Sequence, residues 1–233
     1  MSGLDNVEYL LIEQRPDWLE CFCPTCCEIA NEYSIYTSDA EFNKKEMREM
    51  GKMSEASGCL CRLCCRWMRS FNMEVSIDGT ERTHTDRPFK CPIACICRPI
   101  INVNSNRGEL GQVFQHYIWC LPCCRGGCCS MQEIDIKDAS GNVIYMISGP
   151  CCQAGVLCMC VGCLGPCKKI EYKILDSNKE HVGSIYRIYN DLLLAIYTRA
   201  DKFGIKFPAD ADVEKKLLIV HAAMFLDYLQ FGA

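Results

Sequence analysis

The sequence predicts a mainly β fold: a closed antiparallel barrel of about twelve strands wrapped around a buried hydrophobic C-terminal helix. Three observations predict it. Alternating runs keep meeting Asp, Asn and Gly turns, the implied strands are too many for an open sheet, and the last long apolar segment has no polar face.

The hairpins follow in order. Glu32-Tyr33-Ser34-Ile35-Tyr36 leads to Ser38-Asp39, and Phe71 to Ile77 meets Asp78-Gly79. Ile100 to Val103 runs into Ser105-Asn106-Arg107-Gly108, followed by Leu110 to Phe114. Ile134 to Ile136 precedes Asp138 to Gly141 and then Val143 to Ile147. Ile170 to Leu175 precedes Asp176-Ser177-Asn178 and then Val182 to Ile188. A sixth pair is Leu192 to Tyr197 with Phe203 to Phe207, turning near Ala200-Asp201. Period-2 runs joined by such residues are hairpin signals. An open sheet of that width would leave sticky edges, and closure removes them. A barrel of about a dozen strands is too wide for its own side chains to fill, so it needs a plug.

The C-terminus supplies one. Beyond Pro208 and the acids Asp210 and Asp212, residues 213–231 read as a helix with acids placed to suit its dipole. Leu217, Leu218, Ile219, Val220, Ala222, Ala223, Met224, Phe225 and Leu226 cover every face, so no side is left for solvent. Leu217 to Phe231 extends roughly 22 Å, short of the ~30 Å bilayer core, and Asp227 and His221 add cost in lipid. A core helix is the expectation.

At 233 residues, 49% apolar and 23% charged, the chain has material for one large core. The division expected is a Cys-containing segment at 1–30 and a barrel domain at 31–233, with the central helix at 213–231. A net charge of -4 argues against a dedicated nucleic-acid binder. Met1 to Gln14 carries Asp5, Glu8 and Glu13 without a basic or long apolar stretch, unlike a secretory signal. The expected compartment is therefore the reducing cytosol, where the 22 cysteines would not form a disulfide framework.

Those cysteines fall between hairpins, never at the hairpin tips, which predicts that they gather near one rim. Three uses compete. S-palmitoylation suits exposed cytosolic thiols near a membrane, and two acyl chains hold where one does not. Zinc suits the ligand-pair spacing of Cys23 with Cys26, Cys61 with Cys64, Cys120 with Cys123 and Cys160 with Cys163. Buried cysteines can also serve simply as small hydrophobes.

Several separated strings resemble the phospholipid scramblase family. Ala200 to Val213 is similar to its acidic loop before a terminal hydrophobic helix. Arg87-Pro88-Phe89-Lys90-Cys91 with Cys95 and Cys97 resembles its cysteine-rich segment. Ile147-Ser148-Gly149-Pro150-Cys151, and Tyr9-Leu10 with Glu13-Gln14, resemble other family strings. The resemblance implies a tubby-like, twelve-stranded barrel around a central helix, with acylation at Cys91, Cys95 and Cys97. It implies ATP-independent, bidirectional movement of phospholipids between leaflets at the cytosolic face of the plasma membrane. The chain lacks the family's long Pro-rich N-terminal extension, so partners that dock on such segments are not expected.

Calcium is the candidate activator, read on an EF-hand-like loop from Arg199 to Asp210. Gly204 takes its sixth position, Asp201 its third and Asp210 its twelfth, with Asp212 beyond. Arg199 stands first, where a carboxylate belongs, and Lys202 and Lys206 oppose the acids, so weak or silent binding is expected. No catalytic constellation is legible, which points away from an enzyme. The alternative function is an acylated, membrane-attached adaptor that binds lipid or proteins without transport. Arg62, Arg66 and Arg69 would favour anionic headgroups in that role.

Overall fold

The computed structural model describes residues 3–15, 31–42, 48–56, 70–79, 81–88, 98–116, 132–149, 169–189 and 202–230. They form twelve strands: β1 Tyr9–Gln14, β2 Glu32–Thr37, β3 Glu49–Ala56, β4 Phe71–Ile77, β5 Glu81–Arg87 and β6 Ile100–Ser105. There follow β7 Gly108–Gln115, β8 Gln132–Asp138, β9 Val143–Gly149, β10 Lys169–Leu175, β11 His181–Ile188 and β12 Lys202–Lys206. A single helix, α1 Val213–Gln230, comes last among the described residues. Sequential strands pair antiparallel, and β12 pairs with β1 to close the barrel as expected.

The closing strand differs from the expected one. β12 has one edge on β11 and the other on β1, so 192–197, which lies outside the described residues, is not its hairpin partner. Tyr9–Gln14, which sequence patterning leaves in the segment before the barrel, supplies that ladder, with Leu10 opposite Ile205 and Ile12 opposite Phe203. The run Tyr-Leu-Leu-Ile does not alternate, and one of its two partners, β12, lies at the other end of the chain.

Antiparallel closure sorts the connections into two rims. The short turns between β4 and β5, β6 and β7, β8 and β9, and β10 and β11 share one end, the turn rim, with the end of β2 and the start of β3. The strand ends Gln14, Ala56, Arg87, Gln115, Gly149 and Ile188 share the other, the connection rim. Ladder shifts at Ile35/Tyr36, Val103/Asn104, Ile136/Lys137 and Ile174/Leu175 all fall near the turn rim. Extra residues in one strand raise local twist and curl the sheet there.

Alternation puts one side of each strand inward. In β4, Phe71, Met73, Val75 and Ile77 are buried while Asn72 and Glu74 are exposed. The plug enters at the turn rim and runs ~27 Å toward the other, comparable to the strands around it. Leu217 through Leu226 are all buried on every face, as the all-round apolar pattern predicts. Across the closure seam, the Phe42 ring lies outside the barrel against Tyr9 and Tyr186, at 6.2 and 5.6 Å between centroids. It occupies the space of a missing side chain, since a Cβ on Gly204 would stand 2.6 Å from it. Phe42 adopts a left-handed backbone (φ 57°) to do so, a conformation uncommon for a bulky residue.

One polar side chain sits deep in the plug. His221 is 1% exposed and bonded through Nε2 to Thr83 Oγ1 (2.8 Å) and through Nδ1 to Thr85 Oγ1 (2.5 Å). A neutral imidazole donates from one nitrogen and accepts at the other, which two hydroxyls can match. Burial first, and the nearby His84 second, push the His221 pKa down to about 3. The unfolded chain takes up this proton near pH ~6.5, whereas the fold resists it. His221 therefore contributes stability that is present above about 6.5 and is lost as pH falls toward 3, by ~1.4 kcal/mol per pH unit. Urea unfolding between about pH 6.5 and 4 should show His221→Gln losing less stability than the parent across that interval. Equal losses would exclude this histidine as the source.

Candidate functional site

The turn rim holds the start of the plug. Asp212 caps α1: its Oδ1 accepts the Lys215 amide (2.9 Å) and its carbonyl accepts the Lys216 amide (2.9 Å). An aspartate there satisfies amides that the helix itself cannot. The Lys215 ammonium adds a contact at 3.7 Å. Lys216 turns inward, and its Nζ donates to the carbonyls of Leu4 (2.9 Å), Asp5 (2.9 Å) and Val7 (3.0 Å). The ammonium also lies 5.6 Å from the Phe207 ring centroid. Burial lowers its pKa, while Asp5 and Asp212 act in the opposite direction. Lys216 thus ties the N-terminal turn, with its fully buried Leu4, across the mouth of the barrel.

Of the candidate calcium residues, Asp210 and Asp212 lie here, both exposed, and Asp201 is outside the described residues. Lys202, the chain neighbour of Asp201, opens β12 at the connection rim, whereas Asp210 follows that strand at the turn rim. Gly204 is paired inside β12, between Leu11 and Tyr186. Residues 202–206 are therefore extended strand where an EF-hand would need a turning loop. Asp210 and Asp212 also face Tyr145, whose pKa is raised by burial first and then by their charges. No group of three or more His, Cys, Asp or Glu placed to hold a metal occurs among the described residues.

The cysteines all lie outside the described residues. That holds for the expected acylation sites Cys91, Cys95 and Cys97, and for Arg62, Arg66 and Arg69 beside the second cysteine group. It holds equally for each expected zinc pair: Cys23 and Cys26, Cys61 and Cys64, Cys120 and Cys123, Cys160 and Cys163. The described strand ends that flank these segments all lie on the connection rim.

A polar network that sequence reasoning missed closes the plug at that rim. The Tyr228 hydroxyl donates to Glu55 (2.6 Å), Asn31 donates to the same carboxylate (2.9 Å), and Gln14 donates to Asn31 (2.8 Å). Beside it, the Tyr33 hydroxyl donates to Asp227 (3.0 Å), and the Phe71 and Tyr228 rings stack at 4.2 Å. The signal was Asp227-Tyr228 inside an otherwise apolar helix, where polar groups demand buried partners.

The remaining histidine contacts carry no triad order. His181 bonds Ser184 (2.9 Å), and the Ser184 hydroxyl donates to Glu171 (2.8 Å). In a nucleophilic triad the histidine stands between serine and acid, whereas here the serine stands in the middle. Ser184 is also 1% exposed, closed to a substrate. His116 bonds Asp135 on β8. No helix among the described residues is long and apolar enough to cross a membrane.

Replacing Lys216 with Met should remove three charge-assisted bonds and leave three carbonyls poorly hydrated, costing about 3 kcal/mol. Hydrogen exchange at residues 4–8 should rise in the same variant; unchanged protection there would refute the tie.

Comparison with known proteins bears on the whole chain. The chain is 28% identical over 237 residues to phospholipid scramblase 1 of Homo sapiens, an alignment covering 99% of this chain and 65% of that protein. It is 28% identical over 236 residues to phospholipid scramblase 2 of Bos taurus, covering 99% and 71%. With phospholipid scramblase 4 of Homo sapiens it shares 30% identity over 234 residues, covering 98% and 61%. The chain thus spans about two thirds of the length of these relatives. Solved structures provide no match. The Scramblase family model matches residues 1–233, from the first strand of the barrel through its plug, and the chain belongs to the Scramblase family.

Proposed function

We propose that this protein moves phospholipids between membrane leaflets, without ATP and in both directions. The observation that carries this reading is the Scramblase match from the first residue to the last, beside relatives whose names state phospholipid scrambling. The physical task is to lower the cost of carrying a polar headgroup through hydrocarbon. Because α1 fills the barrel interior, the headgroup route runs outside the lumen, along the outer wall or between copies.

Attachment is assigned to acyl chains on Cys91, Cys95 and Cys97, at the cytosolic face of the plasma membrane. Several chains give stable anchoring where one gives marginal binding. Support comes from Arg87 and Ile100, the strand ends on either side of that segment, which sit on the same rim. Zinc on paired cysteines is the competing use of the thiols. A calcium response is assigned to Asp210 and Asp212 at the turn rim, whereas Asp201 precedes a strand that opens at the other rim. The filled interior favours a second reading, an acylated adaptor that binds lipid or protein partners without transport.

Reconstitution into vesicles carrying a fluorescent phospholipid, with bleaching of the outer leaflet, separates the two. Movement faster than in protein-free vesicles is expected, and movement no faster would remove the transporter reading in favour of the adaptor. Calcium acceleration that disappears in Asp210→Asn would assign that carboxylate. Changing Cys91, Cys95 and Cys97 together to Ser should release the protein from cell membranes, whereas zinc in the purified protein and retained attachment would favour metal.

A further inference from the structure

The turn rim carries a cleft of about 540 Å³, within the range of small-molecule sites. Arg82 at the start of β5 and Arg107 in the turn between β6 and β7 line it, together with Asp5, Asp212 and Glu214. Val213 and Leu217 add an apolar surface, Leu217 being buried. Among the described residues neither guanidinium forms an ion pair, although three carboxylates line the same space. Asp212 is partly engaged by its cap and by Lys215.

Opposite charges held in one cleft without neutralising each other match a ligand that carries both. A simple anion would meet three carboxylates, and a simple cation would meet two guanidiniums. Guanidinium forks suit phosphate oxygens, and carboxylates suit an ammonium. We propose that this cleft binds a phosphate–ammonium zwitterion, with phosphate at Arg82 and Arg107 and the amine at Glu214 and Asp5. That chemistry belongs to the headgroup of phosphatidylethanolamine and equally to free phosphoethanolamine. A lipid source rests on the function proposed above, whereas binding of the free compound does not. The cleft lies at the opposite end from the strand ends that flank the cysteine-bearing segments, so it stands apart from the proposed acyl anchor.

Calorimetry on the full chain tests this with phosphoethanolamine, inorganic phosphate and ethanolamine as separate probes. Phosphoethanolamine should bind at least about tenfold more tightly than either half alone. Arg82→Gln with Arg107→Gln should weaken it about tenfold, and Glu214→Gln should weaken it without weakening phosphate. All three positions are exposed, so thermal unfolding should match the parent. Phosphate binding as tightly as phosphoethanolamine, or the double variant binding like the parent, overturns the proposal. Vesicles of phosphatidylethanolamine and phosphatidylcholine identify the source: weaker binding by the double variant assigns the lipid, and unchanged binding assigns the free compound. A parent that moves lipid but ignores phosphoethanolamine refutes the cleft alone, and one that binds it without moving lipid refutes only the transport reading.

Discussion

An α-helix that is apolar on every face has to be enclosed, and the rest of this structure depends on enclosing α1. Its girth calls for a wide barrel, and about twelve strands leave a lumen of that order. The strands in turn need the helix, because their inward residues have nothing else to pack against. Leu10, Val75, Ile136, Ile174 and Phe225 belong to one continuous core in which sheet and plug are not separable. Closure of that core falls to β1 and β12, strands from opposite ends of the chain. The barrel is therefore complete only when nearly the whole sequence is in place, and such long-range pairing makes for slow folding.

The same constraint divides the surface. A filled interior removes the lumen as a route for any polar group, so function belongs to the outer wall and the two rims. The turn rim combines tight hairpins, ladder shifts, the entry of α1 and a cleft with charges of both signs. The connection rim carries the strand ends that flank every cysteine-bearing segment. The proposed membrane attachment and the proposed ligand site are compatible in this layout, because they occupy opposite rims.

Much of the fold was legible because its signals are local. Asp78-Gly79 has positive φ at both residues, as a tight hairpin turn requires, and the sequence advertises that directly. The helix is predicted over 213–231 and observed over Val213–Gln230. What resisted reading is what depends on distant partners. β1 looks like an irregular apolar run until β12 lies beside it, and the alternation at 192–197 points to a pairing with β12, whose two edges β11 and β1 take. Asp212 was legible as an acid near a helix start, but its duty as a cap competes with the role of a cation ligand. Lys216 near a helix start reads as a solvated cation, yet three backbone carbonyls hold it inside. Arg82 and Arg107 read as ordinary turn and strand residues because only the folded rim brings them to one cleft.

Apolar packing alone would leave the plug free to turn or slide, since Leu, Ile and Ala offer similar surfaces on all sides. Polar side chains at three heights remove that freedom. Lys216 points to the N-terminal turn, while His221, roughly 140° further round the helix, points to β5. At the far end Asp227 and Tyr228 reach β2 and β3, each within about 20° of the bearing of Lys216 and of His221 respectively. Rotation by one residue, about 100°, would break all of these bonds together. Each buried polar group left unmade costs on the order of 1–3 kcal/mol, so the alternatives lie far above the observed register. The apolar residues thus drive the helix into the barrel, and four polar ones decide how it sits there.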